Sequence, residues 1–469
     1  METEFSPLVK TETGMLQGQT VQGTHGSLAA FYGVPYAEAP VGELRWRSAQ
    51  PKHPWEGILH CNGAITEQKS AYQWGQNLLE YFRTLHGSED CLYLNITSPA
   101  LQPDAGLPVF VWFHGGGLFG GSGSEEVYNL PWLPEKGCVL VTVTTRLGAL
   151  GILAADLLEA EHDTANFIIS DMLAALHWIR ENIQSFGGDP GNVTIAGESG
   201  GAHKVSALLA VPQAKGLFQR AVIQSGIASA CSREEAGADG SRLMEYLNVH
   251  TAEEARQLPA EQLVSAYNAL NLMSEFVIDG QYLQEKPADA IAAGRYNRCP
   301  VLLSVNAGEL TNMLPMIGSV EDCMTLLNRF TADGCAAWAC EFDQVPGVWR
   351  TMGFKCVHSL DLAWLFGAYD NTQRFYSGGP WEQQFMFHGA GARFEISEFI
   401  PPVMDEADRK LSDTVMELWL SFARTGVPAC ESVSWARWTQ EEKGYLLLRQ
   451  DAASGPEMAY GFDRLADAD

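Results

Sequence analysis

Gly197-Glu198-Ser199-Gly200-Gly201 sets a serine between glycines directly after the apolar run Asn192-Val193-Thr194-Ile195-Ala196. A serine hydroxyl attacks a carbonyl when a tight turn lifts it clear of the backbone beside a base, and such a turn needs small neighbours. Gly197 and Gly201 supply them. An ordinary glycine-rich strand-to-helix turn is spelled the same way. The motif therefore gains weight only from its partners: backbone donors upstream, then an acid and a histidine downstream.

The donors come first. An ester carbonyl under attack gathers negative charge on oxygen, and fixed backbone N–H groups stabilise that charge without reorganising. His114-Gly115-Gly116-Gly117-Leu118 follows the apolar run Val109 to Phe113, so a glycine loop leaves a predicted strand with no Cβ between its amides and a ligand. Gly116, Gly117 and Gly200 are the expected oxyanion donors. A phosphate-cradling role is disfavoured, because no Gly-Lys-Ser/Thr follows.

In folds with this nucleophile turn the chain order is serine, acid, histidine, which leaves His358 and His388 as bases. His388 closes the apolar segment Phe385-Met386-Phe387 and precedes Gly389, as a buried but presented base would, and it ranks first. His358, in Lys355-Cys356-Val357-His358-Ser359, reads more simply as a structural or surface residue. Glu309 follows the run Val301-Leu302-Leu303-Ser304-Val305 and is the expected acid, emerging at the sheet edge where sites of open α/β sheets sit. Asp322, Asp343 and Asp361 stay as rivals.

These residues need a scaffold. Apolar runs at Val109–Phe113, Val139–Val143, Val193–Ala196, Ala221–Gln224 and Val301–Val305 alternate with helical patterns, which predicts an α/β fold with a mostly parallel sheet flanked by helices. The clearest helix is expected over Ser170–Phe186, ended by Gly187-Gly188-Asp189-Pro190, and another over Ser412–Arg424. Short glycine-punctuated segments in the first hundred residues predict antiparallel strands leading the sheet.

Composition narrows the function. Of 469 residues, 57 are Asp or Glu and 30 are Lys or Arg, a net charge of −27 that repels nucleic-acid phosphates and anionic membranes. The N-terminus lacks a basic segment followed by an apolar one, and no apolar stretch reads as a membrane span, so a cytoplasmic protein without a membrane anchor is expected. The ten cysteines form no C-x-x-C pairs, so no metal is expected, and the chemistry requires no cofactor.

Further stretches carry a resemblance. Phe31-Tyr32-Gly33-Val34-Pro35-Tyr36-Ala37 with Pro40, Gly42 and Arg45, then Ser88-Glu89-Asp90-Cys91-Leu92-Tyr93-Leu94-Asn95, resemble two signatures of the type-B carboxylesterases. Arg146-Leu147-Gly148-Ala149-Leu150-Gly151, Phe186 to Pro190, and the stretch from Asn192 to Gly226 fit as well. This is the family of cholinesterases and bacterial para-nitrobenzyl esterases. The resemblance implies one α/β-hydrolase domain over residues 1–469, with helical cap segments near 234–290 and 310–385 over the active site. It implies a cofactor-independent serine esterase acting on alkyl or aryl esters through an acyl-enzyme, with Ser199 as nucleophile, Glu309 as acid and His388 as base. Amide or carbamate hydrolysis on the same triad, and a non-catalytic adhesion role, are the alternatives. The family commonly has Ala where Gly200 stands, and often an acidic residue soon after the base, where Ala390-Gly391-Ala392 follows His388.

Overall fold

A computed structural model describes residues 6–65, 68, 73–74, 85–161, 164–272, 275–309, 319–351, 355–369, 403–451 and 454–462. Its centre is an eleven-stranded sheet. In chain order the strands are β1 (Gln19–Gln22), β2 (Ser27–Pro35), β3 (Tyr93–Ser98), β4 (Leu107–Phe113), β5 (Val139–Val143) and β6 (Gly188–Glu198). They continue with β7 (Arg220–Gln224), β8 (Val301–Asn306), β9 (Ala337–Phe342), β10 (Gly444–Leu448) and β11 (Glu457–Tyr460). The spatial order is β11-β10-β9-β8-β7-β6-β4-β5-β3-β2-β1.

From β5 through β4, β6, β7, β8 and β9 to β10 every pairing is parallel, while β1, β2 and β3 on one flank and β11 on the other join antiparallel. The central strands are buried on both faces and so are apolar at successive positions. Alternation divides them between two cores. Val109, Val111 and Phe113 of β4 face one cluster, and Phe110 and Trp112 face the other.

Helices cover both faces. On the first lie α1 (Phe167–Asn182), α2 (Gly200–Ala210) and α5 (Val320–Ala332); on the second lies α6 (Glu406–Thr425) through Leu411, Val415, Trp419 and Phe422. A third cluster, including Trp46, Leu150, Leu243 and Tyr267, packs under α3 (Arg233–Tyr246) and α4 (Ala260–Ala269).

α1 begins earlier than predicted and passes at Ile183–Phe186 into a 3-10 turn closed by Gly187 at φ 81°. α6 also begins earlier, because Asp405 caps it by accepting from the Asp408 N–H; such a cap contributes about 1 kcal/mol. β9 lies within 310–385, a stretch expected to be cap, yet it is a strand of the central sheet. All ten cysteines are free thiols. Among the described residues no helix is long and apolar enough to cross a membrane.

Candidate active site

Parallel register sends β4, β6, β7, β8 and β9 out at one sheet edge: Phe113 pairs with Gly197, Glu198 with Gln224, Gln224 with Ser304, and Asn306 with Phe342. The chemical groups sit on the segments that leave those ends.

Ser199 joins β6 to α2 with φ 56° and ψ −123°, a conformation a non-glycine residue holds at a cost of about 1–3 kcal/mol. Packing enforces it. A Cβ at Gly201 would overlap the Phe113 carbonyl, and one at Gly197 would lie 2.8 Å from the Gly201 Cα. The Ser199 N–H donates to the Gln224 carbonyl at 2.9 Å, and the Ser199 carbonyl accepts the first helical bond from His203 at 3.0 Å.

The oxyanion loop presses onto this turn. Gly116 and Gly117 have φ 91° and 62°, a region that favours glycine. A Cβ at Gly200 would overlap the Gly117 carbonyl and lie 2.6 Å from the Gly117 nitrogen, so those two backbones meet with no side chain between them. The first N–H groups of a helix have no acceptor inside it, which leaves the Gly200 amide available.

On the other side, β8 ends at Asn306 and turns back so that the Asn306 N–H donates to Glu309 Oε2 at 3.1 Å. Glu309 is 1% exposed. Its other oxygen, Oε1, accepts from Nδ1 of His358 at 2.9 Å. His358, expected as a structural or surface residue, lies on the segment after β9 with 15% of its side chain exposed and its ring held by the acid that sequence position selects. His388 lies outside the described residues. Among the described residues, none of the rival acids hydrogen-bonds the imidazole. Asp322 closes the capping box of α5, Asp343 lies near Arg449, and Asp361 accepts from the side-chain amides of Asn306 and Gln224 at 3.1 and 2.6 Å.

Glu198, to which sequence analysis assigned no role, is the second carboxylate of the site. It is 1% exposed, and its Oε1 lies 3.3 Å from His358 Nε2 and accepts from Ser359 Oγ at 2.8 Å. Burial pushes its carboxyl up to about 8, with the His358 charge pulling the other way. Burial opposes the His358 imidazolium, but the Glu198 charge and the Glu309 hydrogen bond outweigh it and lift the group to about 9. Asp361 rises to about 6, first through burial and then through the neighbouring Glu309 charge.

Glu198, Glu309 and His358 bring potential ligand atoms within 4.8 Å of one another. Nδ1 is hydrogen-bonded to Glu309, which also accepts from the Asn306 backbone N–H, while Nε2 lies 3.3 Å from Glu198, so these atoms already engage one another. The arrangement as a whole sets a strained serine beside glycine amides at one end of the sheet. A buried acid-histidine pair sits at the same end, as acyl transfer requires.

Known proteins agree with that chemistry. The model of the carboxylesterase family matches residues 5–345. The chain is 30% identical to the para-nitrobenzyl esterase of Bacillus subtilis (strain 168), over 94% of each sequence. It is also 30% identical to the liver carboxylesterase of Sus scrofa, over 98% of this chain and 93% of the relative. A solved PNB esterase superposes with a TM-score of 0.81 at 26% identity, over 97% of each chain. A carboxylesterase of Geobacillus stearothermophilus gives 0.78 at 27% identity, over 98% of this chain and 99% of that one. The chain thus belongs to the carboxylesterase family, and it is a carboxylic-ester hydrolase with the α/β-hydrolase fold.

Proposed function

We propose that Ser199, His358 and Glu309 form the catalytic triad, with the amides of Gly116, Gly117 and Gly200 as the oxyanion hole. The observation that carries this reading is the His358–Glu309 hydrogen bond at the sheet edge from which the strained Ser199 projects. Ser199 Oγ attacks the ester carbonyl as its proton passes to His358 Nε2. Glu309, on Nδ1–H, holds the tautomer and stabilises the imidazolium. The carbonyl oxygen takes the negative charge and lies against the glycine amides. His358 then protonates the departing alcohol, and water deacylates Ser199 by the same steps.

His358 takes the base role in place of His388 because it already rests on the acid. The Glu198 charge beside Nε2 favours the imidazolium, whereas activity requires the neutral form, whose Nε2 lone pair accepts the serine proton. Alkyl and aryl carboxylic esters are the substrate class, and the Bacillus subtilis relative named for a para-nitrobenzyl ester supports an assay ester whose alcohol part carries an aromatic ring.

The test pairs His358→Gln with His388→Gln, each assayed on para-nitrophenyl butyrate and for labelling by a fluorophosphonate. His358→Gln should lose about 10³-fold or more in kcat and label slowly, while His388→Gln keeps wild-type turnover. The reverse pattern would return the base role to His388.

A further inference from the structure

Lys204 lies one turn beyond the nucleophile on α2 and is 0% exposed. A buried ammonium is costly unless its donors find acceptors. Its two acceptors belong to one residue. Nζ lies 3.1 Å from the His114 carbonyl and 3.3 Å from His114 Nε2, and His114 is itself 0% exposed. His114 begins the glycine loop.

The hydrogen bonds continue from there. His114 Nδ1 is 2.8 Å from the Gly115 carbonyl, which can only accept, so Nδ1 carries the proton and Nε2 presents a lone pair to Lys204. Burial and the adjoining Lys204 charge hold the imidazole well below its ordinary value, so it is neutral, as that tautomer requires. The Gly115 carbonyl belongs to the same planar peptide as the Gly116 N–H, and in a trans peptide the two point in opposite directions. Holding the carbonyl from behind therefore aims the Gly116 N–H forward. The next peptide is anchored alike: the Gly116 carbonyl accepts from the Gly120 N–H at 2.9 Å, which orients the Gly117 N–H.

We propose that Lys204 is a positioning residue of the oxyanion loop: it ties α2 to the ring and carbonyl of His114 and so fixes the peptide that carries the Gly116 N–H. This rests on the reading of Gly116 and Gly117 as oxyanion donors. Lys204 touches no substrate. It links the helix that carries the nucleophile to the loop that stabilises the product of its attack, so the two cannot drift apart.

Lys204→Met keeps the length and removes the donor. Its kcat on para-nitrophenyl butyrate should fall by about tenfold or more with KM nearly unchanged, since the lost contact acts on the transition state. Affinity for an aryl trifluoromethyl ketone should fall in parallel. In that adduct Ser199 Oγ bonds to the carbonyl carbon, the serine proton moves to His358, and the carbonyl oxygen becomes the oxyanion. The matching methyl ketone, bound without the adduct, should keep its affinity. Lys204→Gln, which retains an N–H, should recover part of the loss.

A Lys204→Met enzyme with a lower Tm but unchanged kcat and unchanged trifluoromethyl ketone affinity would leave Lys204 a packing residue and overturn the role. Should that variant not fold, 15N spectra of histidine-labelled wild type decide, with His114→Gln used for assignment. An Nδ1–H tautomer is expected, and an Nε2–H tautomer would overturn the proposal. Failure of the parent reading looks different, because the wild type would then bind the trifluoromethyl ketone no more tightly than the matching methyl ketone.

Discussion

The two halves of the site are built from opposite materials. Around Ser199, Gly115, Gly116, Gly117, Gly200 and Gly201 bring bare backbones together, and geometry follows from the absence of side chains. Around His358, buried side chains crowd: Glu198, Glu309 and Asp361, each within reach of the imidazole's charge. The first half is shaped chiefly by sterics, which tolerate almost no added atom. The second is set by charge and tolerates isosteric change, but its working state depends on pH.

Substitutions can break that contrast, and the largest effect belongs to the residue the halves share. Ser199→Ala should lower kcat by about 10⁴-fold or more with an unchanged fold, read from ester turnover and circular dichroism. On the charged half, Glu309→Gln keeps the shape but lets the imidazole take the wrong tautomer, so a kcat loss of about 10³ to 10⁴-fold is expected with little change in Tm. On the steric half, Gly200→Ala drives a Cβ into the Gly117 carbonyl and should cost about 10 to 100-fold in kcat by displacing the oxyanion loop. Unaltered turnover there would mean that the loop yields freely and that sterics do not govern this half. The relatives' usual alanine makes this a sharp comparison.

The smallest effect is a shift along the pH axis. As the proposed base, His358 must lose its proton to act, so kcat/KM should rise with pH through its titration. The Glu198 charge favours the imidazolium, and Glu198→Gln removes that charge. The acid limb of kcat/KM should therefore move to lower pH, by about one unit. A shift to higher pH would show that Glu198 does not hold the imidazolium.

The same division explains what could be read in advance. The serine turn and the glycine loop announce themselves because their signals are local: a β-branched run, then glycines where no Cβ fits. Glu309 was legible from its place just after Val301–Val305. His358 was not, because β9 went unrecognised. Ala337-Trp338-Ala339-Cys340-Glu341-Phe342 mixes small residues with a charge and has no clean strand pattern, although every residue in it is buried. Without that strand, the rule that located Glu309 had nothing to act on one strand later. A second cue was present: the acidic residue absent after His388 stands three residues after His358, as Asp361. Glu198 was in view inside the motif, but its burial against the imidazole is a tertiary fact with no spacing to reveal it.

The parallel strands that converge on one edge also bear on how the enzyme comes alive. The pairs β4/β6, β7/β8 and β9/β10 join residues about 80 or more positions apart in the chain, and Ser359 reaches Glu198 across a separation of 161 positions. Closing such long loops is slow, and parallel sheets of high contact order are among the slowest to complete. The site's groups leave the ends of β4, β6, β8 and β9, so the site is assembled only once those strands have taken their places. During refolding, helical circular dichroism should therefore return well before ester turnover, which makes catalysis a reporter of the last strand to dock.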